Sequence, residues 1–168
     1  MRSKSFEGMA CSIATALEAI GDRWAMLVLR DLMLGLGRYD DLKKSTGITN
    51  ATLADRLRQL EQSGLVERRL YQSGPDRYEY LLTLKGRDLA LVMQALAQVG
   101  DQWRMQEQAD APLQFVRAHS GRPVQLALVD KESGEPVPLA DLRVQAGPGA
   151  DDLVRWRLSK LAGKGMQP

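Results

Sequence analysis

The chain has 168 residues, of which 44% are apolar, 26% charged and only 5% aromatic. That is a globular composition, long enough for one buried domain with a small appendage and far from that of a disordered chain. A single cysteine excludes an internal disulfide framework and a single histidine leaves little transition-metal chemistry, so binding is favoured over catalysis. The net charge of +2 hides a pattern. Residues 1–110 carry 15 basic and 15 acidic side chains, residues 56–87 carry seven against four, and the segment beyond 110 carries eight against six. An acidic partner such as DNA needs a local positive footprint more than a high total. Met1 to Phe6 has Arg2 and Lys4 but no apolar run behind them, and the most apolar stretch, Trp24 to Leu36, is interrupted by Arg30 and Asp31. Neither suits a targeting signal or a membrane span, so a cytoplasmic protein with no membrane partner is expected.

Ile13, Ala16, Leu17 and Ile20 fall on one face of a first helix, which Gly21-Asp22 ends. Asp22 is placed to cap a second helix from Arg23 to about Leu34. Trp24, Leu27, Val28, Leu32 and Leu34 make that helix apolar on most sides, which predicts the central core helix. Gly35 and Gly37 break the pattern before a short helix over Tyr39 to Lys44, with Tyr39 and Leu42 inward. Thr46-Gly47-Ile48-Thr49 is a tight turn: Gly47 relieves a left-handed or crowded position, Ile48 enters the core, and Thr49 or Asn50 caps the next helix. That helix, residues 50–62, is amphipathic, with Leu53, Leu57 and Leu60 inside, and Gly64 stops it.

The period then switches to that of strands. Leu65 to Leu70 and Arg77 to Leu82 flank Tyr71-Gln72-Ser73-Gly74-Pro75-Asp76 and predict a β-hairpin. Thr83 is expected to cap a long helix from Leu84 to about Gln108, in which Gly86 and Gly100 each cost roughly 1 kcal/mol. Its apolar positions are Leu89, Val92, Met93, Leu96, Val99 and Trp103, with no obvious later helix to cover them. Ala111-Pro112 marks a boundary. Beyond it Val124–Val129 and Glu135–Leu139 read as a small hairpin around Lys131-Glu132-Ser133-Gly134, followed by the loop Gly147-Pro148-Gly149. Asp151 to Leu161 reads as a short helix with Leu153, Trp156 and Leu161 near one side. Two units are therefore expected: residues 1–110, and an accessory β-rich extension over 111–168.

This order of elements is that of an α+β winged helix-turn-helix, whose second motif helix enters the DNA major groove. With Leu53 facing the core and about 100° per residue, Ala51, Thr52, Asp55, Arg58 and Gln59 fall on the outward half. Arg58 and Gln59 have the donors and acceptors to read guanine or adenine edges; Thr49, Asn50 and Thr52 suit phosphates near the helix start. Asp55 either accepts from a cytosine amino group or steadies Arg58 or Arg56, which joins the DNA-binding set. Arg68 and Arg69 point to opposite faces of a regular strand, so at most one contacts DNA, and Arg68 is taken. Arg77, next to the hairpin tip, is the wing contact, and Lys43 and Lys44 lie within reach of the backbone.

Several stretches together make the resemblance specific: Cys11, Leu17-Glu18-Ala19-Ile20-Gly21-Asp22-Arg23-Trp24, Arg38-Tyr39-Asp40-Asp41-Leu42, Leu53-Ala54-Asp55-Arg56-Leu57-Arg58-Gln59-Leu60, and Arg77-Tyr78-Glu79-Tyr80-Leu81-Leu82-Thr83. In order and spacing, residues 11–103 resemble the HxlR-type family of small bacterial winged-helix transcriptional regulators. The resemblance implies a homodimer on an inverted repeat of double-stranded DNA; repression by occluding polymerase is the commoner expectation for a small dimer with no activation domain. It places the dimer contacts on the N-terminal and long C-terminal helices, here Ile13, Leu17, Leu89, Val92, Leu96, Val99 and Trp103. Cys11 stands where some members of the family sense oxidants, and a small-molecule or oxidant effector is a possible partner. The extension resembles one that carries paired cysteines in part of the family. Here those places read His119-Ser120-Gly121 and Asp130-Lys131-Glu132-Ser133-Gly134, so no metal site and no cofactor are expected.

An enzyme is disfavoured: the chain offers no nucleophile–base arrangement and no glycine-rich phosphate loop. A winged helix that binds protein, or a ligand-responsive regulator of the MarR type, are the alternatives.

Overall fold

The computed structural model describes residues 5–107 and 109–162. Helices α1 (Ser12–Ile20), α2 (Arg23–Met33), α3 (Tyr39–Thr46) and α4 (Asn50–Gln62) precede an antiparallel hairpin, β1 (Val66–Gln72) and β2 (Arg77–Leu82). Then come a single turn, α5 (Leu84–Arg87), the long α6 (Ala90–Gln106), a 3-10 turn at Leu139–Asp141, and α7 (Asp152–Ala162). The mixed α+β winged architecture is thus present.

Local chemistry sets the boundaries. The Asp22 carboxylate accepts from the backbone N–H of Trp24 and Ala25 and starts α2; Thr49 and Thr83 cap α4 and α5 in the same way. Gly47 closes α3 at φ 69°, a left-handed position that favours glycine. Among the described residues, every buried apolar side chain lies between Ala14 and Val66. Val28, Leu29 and Leu32 of α2 meet Leu42, Ile48, Leu53, Leu57, Leu60 and Leu65, so α2 is the central core helix, although Leu34 at its end points to solvent. The hairpin gains a third, one-residue rung: Arg38 bridges to Glu79, and the N–H of Tyr80 donates to the Gly37 carbonyl at 2.8 Å.

The expected continuous helix from Leu84 is broken at Asp88–Leu89. Gly86 stands in α5, just before the break. It packs so closely on the Leu65 carbonyl that a Cβ there would collide with it, and α5 is held in that place by Lys85 Nζ donating to the Ser63 carbonyl. Leu89, assigned to the open face of the long helix, turns inward at the break and packs on the core with Met93. The expected end at Gln108 lies outside the described residues.

The expected strands of the extension reduce to one isolated bridge, Val129↔Pro136, which an unexpected bridge, Val116↔Pro123, precedes. Pro123, Pro136 and Pro138 carry no N–H with which to extend a ladder. The turn between the second pair is well formed: the Asp130 carboxylate accepts from the N–H of Glu132 and Ser133, and Gly134 N–H donates to the Asp130 carbonyl. These bonds favour the charged carboxylate and hold its pKa below the ordinary value. In α7, Leu153 and Trp156 are exposed while Val154 and Leu158 are half-buried; the side chain of Leu161 lies outside the described residues. No helix among the described residues is long and apolar enough to cross a membrane.

Candidate nucleic-acid interface

Helix α4 is held in place at both ends. Leu53, Leu57 and Leu60 anchor it to the core, and the Tyr39 hydroxyl donates to the Asn50 carbonyl at its first residue. The Thr49 hydroxyl lies 2.9 Å from that of Thr52 and accepts from its N–H. The outward side then carries Asn50, Ala51, Arg58 and Gln59, exposed, with Thr52 and Asp55 half-covered.

Asp55 is the hub of a charge network on this face. Its carboxylate accepts from Arg56 Nη1 at 2.7 Å and from Gln59 Nε2 at 3.2 Å, and stands 3.5 Å from Arg58 Nη1. Arg56 continues inward. Its Nη1 also donates to Gln59 Oε1 at 2.8 Å, and its Nε lies 2.9 Å from the Asp22 carboxylate between α1 and α2. The Arg56 side chain is 21% exposed and that of Arg58 is 64% exposed. Arg58 is therefore the available guanidinium of the pair.

The two wing arginines on β1 differ in the same way. Arg69 donates through Nε and Nη2 to Glu79 Oε1 on β2, at 2.9 and 2.7 Å. Arg68, on the opposite face, stacks over the Tyr78 ring at 4.2 Å and has no carboxylate partner among the described residues. Arg77 and Lys43 are exposed and likewise have none. Tyr80, half-buried behind the wing, has its pKa raised because burial disfavours the phenolate, an effect that Arg68 opposes.

Sequence reasoning missed Arg38. It is exposed at the N-cap of α3 and stacks over the Tyr71 ring at 5.0 Å. With Arg77, Tyr71 and Tyr78 it lines a cleft of about 480 Å³ between α3 and the wing. The only signal was its position at the head of the Arg38-Tyr39-Asp40-Asp41-Leu42 stretch. Its place beside the wing depends on the rung to Glu79, 41 residues away.

Away from this face, Ile13 and Leu17 of α1, and Leu91, Val92, Leu96, Val99 and Trp103 of α6, are exposed. Cys11 is half-buried as the N-cap of α1, without a side-chain capping bond. No cluster of His, Cys, Asp or Glu able to hold a metal occurs among the described residues.

Residues 19–108 match the HxlR-like helix-turn-helix family. The chain belongs to it. An uncharacterized HTH-type transcriptional regulator of Mycobacterium tuberculosis is 35% identical over 147 residues, covering 88% of this chain and 91% of the relative. Among solved structures, PA1607, a candidate transcription factor, is 34% identical with a TM-score of 0.70 over 86% of this chain and 100% of its own. PA1374 of Pseudomonas aeruginosa, also a candidate transcription factor, is 38% identical with a TM-score of 0.61, covering 88% of this chain and 99% of its own. Both likenesses run well past the family segment into the extension. This HxlR-like chain is a DNA-binding transcriptional regulator, not an enzyme.

Proposed function

We propose that this HxlR-like protein is a homodimeric repressor that binds an inverted repeat. The supporting observation is the exposed Arg58–Gln59 side of α4, set on a helix anchored to the core and flanked by an arginine-bearing wing. Arg58 reads a guanine edge in the major groove, and Asp55 positions it. Gln59 reads a neighbouring edge by exchanging its bonds to Asp55 and Arg56 for bonds to a base. Thr49, Asn50 and Thr52 meet phosphates at the start of α4, with Lys43, Arg68, Arg77 and Arg38 adding backbone contacts on either side. Arg56 serves as a brace that fixes α4 to the α1–α2 junction.

The exposed apolar faces of α1 and α6 support two copies joined there, and a two-fold dimer presents two copies of α4 to two half-sites. A small dimer acts most simply by occluding polymerase. Genome-wide footprinting of the purified protein should return dyad-symmetric sites about one helical turn between half-site centres, and deleting the gene should raise transcription from the adjoining promoters. Sites without dyad symmetry would refute the dimeric reading, and lowered transcription would refute repression.

A further inference from the structure

We infer that residues 111–162 form an intersubunit clasp: the extension packs against a second copy of this chain through the Leu153–Trp156 side of α7, completing the interface begun by α1 and α6. The inference rests on the dimer reading above and assigns the extension its partner.

The extension is ordered without having a core. It has a capped turn at Asp130, a 3-10 turn and an 11-residue helix, yet no described residue from 111 to 160 is buried. Ordering a backbone costs about 1–2 kcal/mol per residue and must be offset largely by removing apolar surface from water. The chain alone does not do this here.

The surface area is also large for a compact subunit of this mass. The chain exposes 13459 Å² at 18.6 kDa, whereas a compact monomer of that mass exposes roughly 8,200 Å². Even half of the excess, about 2,600 Å², matches what each subunit of a large obligate dimer buries.

The position of the extension selects the occupant. Gln98 of α6 grips both backbone groups of Leu126: its Nε2 donates to the carbonyl at 3.1 Å and its Oε1 accepts from the N–H at 2.9 Å. The extension is thereby fastened to the helix whose Leu96, Val99 and Trp103 lie open. Between α6 and residues 111–125 remains a cleft of about 710 Å³. A two-fold axis beside α6 brings anything docked on that helix within reach of the partner copy. Across residues 111–150 four basic and four acidic side chains are interspersed and give no polyelectrolyte face for nucleic acid or an anionic membrane, while α7 adds Arg155, Arg157 and Lys160 beside its Leu153–Trp156 side.

The test uses the full-length protein with a benzoylphenylalanine photo-crosslinker placed singly at position 156 on α7 or at position 96 on α6, alongside light scattering. A covalent dimer on a denaturing gel from both positions is expected. A dimer by scattering that crosslinks from position 96 but not from 156 overturns the clasp and leaves the α1–α6 dimer standing. A monomer by scattering with no interchain product from either position overturns both.

Discussion

Arg56 and Arg58 are two positions apart on α4, yet one guanidinium faces inward between Asp22, Asp55 and Gln59 while the other faces out beside Asp55 alone. Their substitutions should fail differently. Arg58→Ala should weaken operator binding by about 1–3 kcal/mol and relax preference at one base position, with the unfolding midpoint unchanged. Arg77→Ala should weaken all sequences alike and reduce the salt slope of binding by about one, read by anisotropy titrations at several salt concentrations. Asp22 both caps α2 and holds Arg56, so Asp22→Ala should lose about 1–2 kcal/mol of stability in a urea titration. Tyr80 provides a pH signature. Its folded pKa lies above the unfolded value of 10.0, so the unfolded chain releases this proton first as pH rises. Its contribution is therefore intact below pH 10 and lost above it. An ultraviolet titration of the native protein should show Tyr80 ionising later than it does in the unfolded chain.

At the scale of elements, the caps and periodicities were local and therefore readable. Asp22, Thr49 and Thr83 cap as their positions imply, and α4 occupies residues 50–62 as its leucine spacing requires. The need for glycine at position 86 was not readable, because it answers to the Leu65 carbonyl, 21 residues earlier. Propensity treats Gly86 as a weakness of a helix, whereas the fold uses its missing Cβ as clearance. Gly86→Ala should accordingly destabilise by about 2–3 kcal/mol in denaturant unfolding, the reverse of the gain expected for an exposed helical glycine. The wing shows the same division. Its strands follow from alternation, but the stacking of Arg68 on Tyr78 and Arg38 on Tyr71 depends on cross-strand register and on a rung from before α3.

At the scale of the whole molecule, the buried apolar side chains among the described residues are confined to residues 14–66, and the described elements after the wing add no second core. The composition showed a globular chain but not where its apolar residues would be left uncovered. That depends on where α6 points and on what faces it. If a second copy supplies the cover, folding and association are linked, and the thermal midpoint should rise with protein concentration. A midpoint constant over a hundredfold range would argue against it. The Asp22–Arg56 pair acquires a larger meaning in such an assembly. It sits where α1, an interface helix, turns into α2, and it reaches across to the reading helix. Two such links, one per subunit, would make the dimer a caliper whose jaws are the two copies of α4, each seated on its core leucines and aligned by one ion pair. Loosening that pair need not abolish DNA recognition: the protein should instead tolerate operators whose half-sites stand one base pair too near or too far.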